Sequence, residues 1–287
     1  MNNIKNITFL TPVSSDTNFK LEKKYSHTLA YEKHTSLNLS SHPGIQKTQQ
    51  DSVLAMEHRG FLILGVADGM GGLENGDIAS YQILSAVKDY ISNQPPYLLE
   101  CLDNNSVEEM MYRILDHLKN KEFPNEAGTT LNFSIIGPKK TFIINIGDSR
   151  AYTVKGTEIN LRTFDDSLAF ELFEPTTKEE RDRLRFYCKN NVITNYIKAN
   201  FIPYVNVVSI NNDDYDILCH MTDGISDILS EETICMCLLG RDPADTLITL
   251  TINSGLQYNR DVNVGFNEFI YPHDNATAVV YSKKRKK

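Results

Sequence analysis

Five aspartates in this chain stand directly beside stretches that are typical of buried strands. Asp68, for example, follows FLILGVA and is itself followed by Gly69. The other four are Asp51 at the start of DSVLAMEH, Asp148 after TFIINIG, Asp223 after DILCHMT and Asp274 before NATAVVYS. Burying one unpaired carboxylate costs several kcal/mol. A chain that repeats this arrangement is therefore expected to gather the carboxylates around cations.

The type of ligand indicates which metal these acids would bind. All are hard oxygen donors, and no histidine or cysteine lies among them except His273. That set favours Mg²⁺ or Mn²⁺ over Zn²⁺. Asp227, four residues after Asp223, adds a further carboxylate. Several carboxylates suit two adjacent ions, which can ionise a water and hold a phosphoryl group. The residues therefore favour metal-assisted hydrolysis of phosphoesters.

Glycines follow two of these acids, at Gly69 and Gly224. Because glycine adopts backbone conformations closed to other residues, we expect sharp turns there that present a carbonyl or an amide to the site. The alternative is that the aspartates are turn residues and helix caps, which are common at the ends of strands. Any one of them fits that alternative, but their joint occurrence beside strong strands favours a metal site.

The apolar pattern predicts the elements that position these acids. DSVLAMEH and FLILGVA, joined across Arg59–Gly60, predict a β-hairpin. GDIASYQILSAVKDYI has helical spacing, and Ser106 with Glu109 predicts a capping box for a second helix. Strands and helices come in blocks rather than in alternating βαβ units, which favours the α+β class. We expect three segments along the chain: a polar leader at 1–24, a single domain at 25–282 and a basic tail at 283–287.

Composition argues against several classes of protein. The 287 residues carry a formal net charge of −8, which disfavours a nucleic-acid-binding surface. The five cysteines include no C-x-x-C pair, which is typical of reduced thiols. No apolar run reaches the ~18 residues of a membrane helix, and the first residues lack a signal-peptide core. We expect a cytoplasmic monomer without a membrane span, with a secreted effector acting in a host cell as the alternative.

Six regions, in order along the chain, resemble the motifs of one enzyme family. They are QQDSV, VADGMGG, AGTTL with INIGDSRAY, NVIT, MTDGISD and DNATAVV. Together they resemble the metal-dependent Ser/Thr protein phosphatases of the PPM, or type 2C, family, and DGMGG and NVIT are closer to its bacterial branch. The resemblance implies a four-layer α-β-β-α sandwich with two central, mostly antiparallel sheets. It also implies a phosphoric monoester hydrolase that acts on phosphorylated proteins with two or three Mn²⁺ or Mg²⁺ ions.

The resemblance further implies a role for each acid. Asp68 would bridge two ions, with the Gly69 carbonyl on one of them. Asp223 and Asp274 would complete the other. Asp51 would bind the attacking water and orient it, so that Asp51 and Asp68 are the predicted catalytic residues. Three aspartates would form a further, weaker metal position: Asp148, Asp223 and Asp227.

Two positions depart from the family pattern. Gln50 stands where an acid usually precedes Asp51, and Gln46 stands where an arginine is expected to hold the substrate phosphate. Lys47 is adjacent, but its ammonium group offers a point charge in place of a bidentate fork. Lys47 is therefore the candidate phosphate-binding residue. The alternative function is a pseudophosphatase, or binding module on the same fold, with weak or no catalysis.

A cysteine-dependent phosphatase is a further alternative. CMCLLGR places Cys235 and Arg241 in a C-x-x-x-x-x-R pattern. That chemistry needs a thiolate held in a loop of backbone amides. Ser230 as a cap and Gly240 as a terminator instead predict a helix over EETICMCLL, so Cys235 is expected to lie on a helix.

Overall fold

Two six-stranded antiparallel sheets form the centre of this structure, a computed structural model. It describes the following residues: 8–10, 25–31, 35–44, 46, 48–70, 75–119, 123–184, 192–261 and 274–283. None of the helices in this part of the chain is long and apolar enough to cross a membrane.

The described residues form fifteen strands and eight α-helices. The strands are β1 Thr8–Leu10, β2 Tyr25–Tyr31, β3 Thr35–His42, β4 Ser52–His58, β5 Phe61–Ala67, β6 Gly69–Met70, β7 Gly128–Thr129, β8 Leu131–Ile136, β9 Lys140–Ile146, β10 Arg150–Lys155, β11 Glu158–Leu161, β12 Ile197–Lys198, β13 Asn206–Asn211, β14 Ile217–Met221 and β15 Ala276–Lys283. The helices are α1 Gly76–Ser92, α2 Pro96–Glu100, α3 Asn104–Lys119, α4 Leu168–Phe173, α5 Lys178–Leu184, α6 Asp223–Ser226, α7 Glu231–Leu238 and α8 Pro243–Asp261.

The strands divide into two large sheets and one small sheet. The first large sheet has the order β1-β4-β5-β8-β9-β13, and the second has the order β11-β10-β14-β15-β3-β2. A small sheet of two-residue strands, in the order β12-β7-β6, lies beside them. All the named pairs are antiparallel, as in the hairpin that pairs Ser52 with Ala67. The predicted α+β class with two antiparallel sheets is confirmed.

Alternation along the strands shows how the layers stack. In β4, Leu54 and Met56 pack in the core beneath α1 and α3, whereas Val53 and Ala55 face the second sheet. In β15, Ala278 and Val280 pack against α7 and α8 in the same manner. Successive side chains of a strand point to opposite faces, so each central sheet is buried on both sides. The result is the predicted four-layer α-β-β-α sandwich.

Most of the local predictions are confirmed, and three details differ. Helix α3 begins before the predicted cap: Asp103 Oδ1 accepts from the Ser106 N–H at 2.8 Å, and Ser106 Oγ accepts from the Asp103 N–H at 2.8 Å. The capping pair is therefore Asp103 with Ser106. At the two ends of the chain, Thr8–Leu10 pairs with β4 and Lys283 pairs with Thr35. These residues of the predicted leader and tail belong to the sheets.

A buried ion pair joins the start of β10 to the segment before α4. Arg150 Nη2 donates to Asp165 Oδ2 at 2.6 Å, and Arg150 Nε donates to both carboxylate oxygens at 2.9–3.0 Å. The two side chains are only 2% and 4% exposed. Phe170 of α4 places its ring centroid 5.2 Å from the guanidinium carbon. Since water is excluded, each charge depends on the other.

We expect Arg150→Met to lower the free energy of unfolding by about 3–5 kcal/mol, because Asp165 would remain buried without its partner. Arg113→Met is the matched control, because the Arg113–Glu109 pair is 64% and 65% exposed and is expected to contribute little. Urea unfolding followed by circular dichroism measures both variants. If both variants lost the same free energy of unfolding, the conclusion that Asp165 is left buried without a partner in Arg150→Met would be wrong.

Candidate metal centre

The predicted acids meet at one end of the two sheets. Asp51 precedes β4 and Asp68 follows β5, and the Ser52–Ala67 pair holds these two strand ends side by side. In the second sheet, the pairing of Met221 with Ala278 brings the end of β14 beside the start of β15. Three further acids therefore lie at the same end: Asp148 between β9 and β10, Asp223 after β14 and Asp274 before β15.

Burial raises the pKa values of Asp51, Asp68 and Asp274, and repulsion from neighbouring carboxylates raises them further. Burial raises the pKa of Asp51 to about 8, with further repulsion from Asp274 and Asp223. Burial also raises the pKa of Asp68, and the carboxylates of Asp51, Asp223 and Asp274 raise it further. Partial burial and repulsion from Asp223 raise the pKa of Asp274 to about 6. These four acids form one electrostatic group.

A second group overlaps the first at Asp223. Burial raises the pKa of Asp148, and so does repulsion from Asp223, Asp165 and Asp227. Asp227 lies one turn after Asp223, and its N–H donates to the Asp223 carbonyl at 2.8 Å. The structure therefore brings together all six predicted aspartates, with Asp223 shared between two groups.

The donor set fits a hard divalent cation. One buried carboxylate oxygen in each of three acids has no hydrogen-bond partner: Asp51 Oδ1, Asp148 Oδ1 and Asp223 Oδ1. Such oxygens are the ligands that Mg²⁺ and Mn²⁺ prefer. Within the described residues, no three acidic, histidine or cysteine side chains are close enough to coordinate one ion as they stand. Because like charges repel, a cation would draw these carboxylates closer together.

Hydroxyl groups hold Asp51 in place. Thr222 Oγ1 donates to Asp51 Oδ2 at 2.9 Å, and the Thr277 hydroxyl also bonds to this carboxyl group. Thr277 Oγ1 in turn lies 2.8 Å from Ser41 Oγ. With Oδ2 engaged in this way, Oδ1 is the oxygen of Asp51 that is available to a ligand. Sequence reasoning missed both threonines, although each lies inside a quoted motif.

Threonines of the AGTTL motif fix the backbone of Asp68. The Asp68 N–H donates to Thr130 Oγ1 at 2.9 Å, and the Thr130 N–H donates to the Asp68 carbonyl at 2.9 Å. Thr129 Oγ1 donates to the same carbonyl at 2.9 Å. Gly69 pairs with Thr129 in the small sheet. Both the N–H and the carbonyl of Asp68 are therefore fixed by hydrogen bonds.

Close backbone packing explains the glycines after Asp68 and Asp223. A Cβ at Gly69 would lie 2.1 Å from the Gly76 carbonyl oxygen, and a Cβ at Gly224 would lie 2.0 Å from the Asn275 carbonyl oxygen. Neither glycine has a positive φ. Neither position therefore needs glycine for a left-handed backbone; glycine is needed because another part of the backbone passes too close for a side chain.

Asn275 links the acid cluster to the loop before β4. Its Oδ1 accepts from the Gln50 N–H at 2.6 Å, and its Nδ2 donates to the carbonyls of Pro43 and Thr48 at 2.9 and 3.2 Å. The residue is 2% exposed. Because Gln46 lies within this loop, Asn275 fixes the backbone on either side of it. The only signal in the sequence was the asparagine of DNATAVV.

Comparison with known proteins decides the family. The sequence model of the family described as "Protein phosphatase 2C" matches residues 40–249. This match covers well over half of the chain, including most of the elements that carry the acids. The chain belongs to the protein phosphatase 2C family.

Relatives within this family are bacterial phosphatases. The serine/threonine phosphatase Stp of Listeria welshimeri is 26% identical over 206 residues, which are 69% of this chain and 81% of Stp. The crystal structure of Stp1 from Staphylococcus aureus has a TM-score of 0.67 at 21% identity, covering 86% of this chain and 94% of Stp1. The catalytic domain of PstP, crystallised with 2 manganese ions, has a TM-score of 0.62 at 22% identity, covering 88% and 99%. The two structures confirm the protein phosphatase 2C fold.

The predicted residues outside the acid cluster are the candidates for phosphate binding and for cysteine chemistry. Lys47 and His273 lie outside the described residues. Gln46 donates its N–H to the Pro43 carbonyl at 3.1 Å. Cys235 lies on helix α7, where Ser230 caps the first turn by accepting from the Thr233 N–H, as predicted. Burial raises the pKa of the Cys235 thiol. Both observations argue against a cysteine-dependent phosphatase.

The raised pKa values predict how metal ions and pH act together on stability. In chelator, Asp51 and Asp274 retain protons in the folded chain above pH values at which the unfolded chain has released them. Their contribution to stability is therefore lost as the pH rises from about 4 to about 8. Mn²⁺ would neutralise the ionised carboxylates, and it binds only those ionised forms. We expect Mn²⁺ to raise the melting temperature more at about pH 8 than at about pH 5.5.

Differential scanning fluorimetry in EDTA and in Mn²⁺ checks this expectation. Asp51→Asn serves as the control, because it removes the group with the higher of the two pKa values and should reduce the pH dependence seen in EDTA. A gain in melting temperature that is the same at both pH values would show that the cluster does not bind the ion.

Proposed function

We propose that this chain is a metal-dependent protein phosphatase that hydrolyses phosphoserine and phosphothreonine on proteins, with Mn²⁺ or Mg²⁺ as cofactor. The observation that carries the proposal is the cluster of interacting acids with unpartnered buried oxygens at one end of a protein phosphatase 2C fold. The related Stp is a serine/threonine phosphatase, and the PstP catalytic domain was crystallised with manganese.

We assign the metal ligands by the two electrostatic groups. Asp68 interacts with both Asp223 and Asp274, which supports its proposed place between two ions, with the Gly69 carbonyl on one of them. Asp223 and Asp274 would hold the other ion. A third, weaker position would use the acids of the second group: Asp148, Asp223 and Asp227. Because Asp223 belongs to both electrostatic groups, it would contribute a ligand to both metal positions.

The residues of the chain would orient the reaction. When bound, the divalent ions would supply a water of lowered pKa and neutralise charge on the phosphoryl oxygens. Asp51 would accept a hydrogen bond from the attacking water through Oδ1, which has no hydrogen-bond partner, since Thr222 engages Oδ2. A water held by a fixed carboxylate is aimed at phosphorus before the reaction begins, which lowers the entropic part of the barrier.

The substrate phosphate would depend mainly on the ions. Gln46 offers an amide where a guanidinium is expected, and Lys47 offers a single point charge. We propose Lys47 as an accessory phosphate-binding residue. We further propose that the protein acts as a monomer on phosphorylated proteins in the cytoplasm.

The first activity prediction concerns metal dependence. We expect purified protein to hydrolyse a phosphothreonine peptide in Mn²⁺ or Mg²⁺, to lose all activity in EDTA and to regain it when the ion is restored, because hard carboxylates are the proposed ligands. Release of inorganic phosphate measures the rate. Iodoacetamide should leave the rate unchanged, since Cys235 is not the nucleophile.

Two results would contradict this proposal in different ways. Full activity in EDTA, combined with inactivation by iodoacetamide, would favour a cysteine-dependent phosphatase. Tight Mn²⁺ binding without turnover of any phosphopeptide would identify a pseudophosphatase, the outcome for which Gln46 is the motivating residue.

A second activity prediction separates the two groups of acids. Asp68→Asn removes the charge proposed to lie between two ions and should lower kcat by on the order of 10³-fold or more. Asp227→Asn is its matched control, because it changes an acid of the same cluster that belongs only to the second group. Steady-state kinetics at saturating Mn²⁺ compares them. Small and equal losses in both variants would contradict the assignment of Asp68.

A further inference from the structure

A chain of buried polar side chains crosses from one central sheet to the other. Ser134 of β8 lies 2.7 Å from His220 Nε2 of β14, and His220 Nδ1 contacts Asn132 Oδ1. Asn132 Nδ2 donates to Asn145 Oδ1 of β9 at 2.6 Å. None of the four side chains is more than 2% exposed. Side chains that lie between two packed sheets are normally apolar, so these polar groups need an explanation.

The hydrogen bonds determine the protonation of His220. Asn132 uses its Nδ2 as a donor to Asn145 and to the Ser149 carbonyl, so its Oδ1 is the atom that faces the imidazole. That oxygen can only accept, and Nδ1 must therefore carry the proton. Nε2 of the neutral ring then accepts from the Ser134 hydroxyl. Burial lowers the pKa of His220 to about 3, in agreement with a ring that is neutral near pH 7.

The row of buried polar side chains ends in hydrogen bonds to the backbone on both sides of Asp148. Asn145 Nδ2 donates to the Gly147 carbonyl at 2.9 Å, and Asn132 Nδ2 donates to the Ser149 carbonyl at 3.1 Å. The Gly147 N–H donates to Asp166 Oδ2 at 2.9 Å. Three backbone groups around Asp148 are therefore fixed by side chains.

The geometry of Gly147 and Ser149 adds to this restraint. Gly147 has a φ of +103°, and a Cβ there would lie 2.7 Å from the Thr130 Cγ2. Ser149 Oγ lies 2.8 Å from Thr130 Oγ1, which also accepts from the Asp68 N–H. The peptide of Asp148 is thereby fixed relative to Asp68.

We infer that Asn132 and Asn145 are positioning residues that aim the Asp148 carboxylate at the weaker metal position, an inference that rests on the proposed function. Asp148 is 6% exposed, and its Oδ1 has no hydrogen-bond partner. Since Oδ1 has no hydrogen bond of its own to hold it, its position depends on the backbone to which the side chain is attached. A fully satisfied buried polar network is rigid, and groups behind a metal ligand control its affinity.

The test compares Asn145→Ala with Ser134→Ala in the full-length protein. Asn145→Ala removes the side-chain donor to the Gly147 carbonyl, which keeps the Asp166 N–H as a donor at 3.1 Å. Ser134→Ala instead breaks the same network at its His220 end and leaves both side-chain bonds to the carbonyls beside Asp148 in place. Both variants lose a buried hydrogen bond and should melt at a lower temperature. Calorimetric titration with Mn²⁺ should show the weakest binding event reduced about tenfold in Asn145→Ala alone. The tighter events should be unchanged in both.

A further variant and the wild-type protein distinguish failure of this inference from failure of the proposed function. If Asn145→Ala does not fold, Asn145→Ser, whose hydroxyl can still donate to one carbonyl, should show a smaller loss in the same Mn²⁺ event. Equal weakening in Asn145→Ala and Ser134→Ala, or weakening of the tight events, would overturn the inference while the proposed function stands. A wild-type protein that binds no Mn²⁺ would overturn both together.

Discussion

Repulsion among buried carboxylates is the constraint on which the rest of this structure depends. Burial raises the pKa values of Asp51 and Asp68, and the charge of Asp223 raises both further. The chain offsets this cost only in part, through hydroxyl and amide donors such as Thr222 and the backbone contacts of Thr130. The packed sandwich has to supply the remaining free energy. A divalent cation would reverse the sign of the interaction, from repulsion between acids to attraction toward a shared charge.

That constraint also explains why polar groups are concentrated at one end of the sheets. Asn275, Thr130 and Asn145 each bind backbone atoms of a segment that carries or adjoins an acid. Apolar packing between the layers, as at Val53 and Val279, is non-directional and cannot set the angle of a carboxylate. Directional hydrogen bonds can do so, and they occur where orientation matters.

The sequence predicted the features that are local to one segment. The position of Asp68 after FLILGVA and the Arg59–Gly60 hairpin follow from apolar patterns of a few residues. The layers follow from strands that are apolar on both faces. The reasons for Gly69 and Gly224 could not be found in this way, because each depends on a backbone contact made in three dimensions, with Gly76 and with Asn275 respectively. The hydrogen bonds of Asn275 join residues more than 200 positions apart in the chain and have no local pattern.

The acids are divided between the two sheets, with consequences for folding. Asp51 and Asp68 adjoin strands of the first sheet, whereas Asp223 and Asp274 adjoin strands of the second. Neither sheet alone contains the full cluster, so an intermediate with one sheet formed could not bind ions as the native chain would. An ion bound by both sheets would stabilise only the docked state and would slow its unfolding. Metal affinity would then report on assembly of the layers, and a core substitution far from any acid could weaken it by altering how the sheets dock.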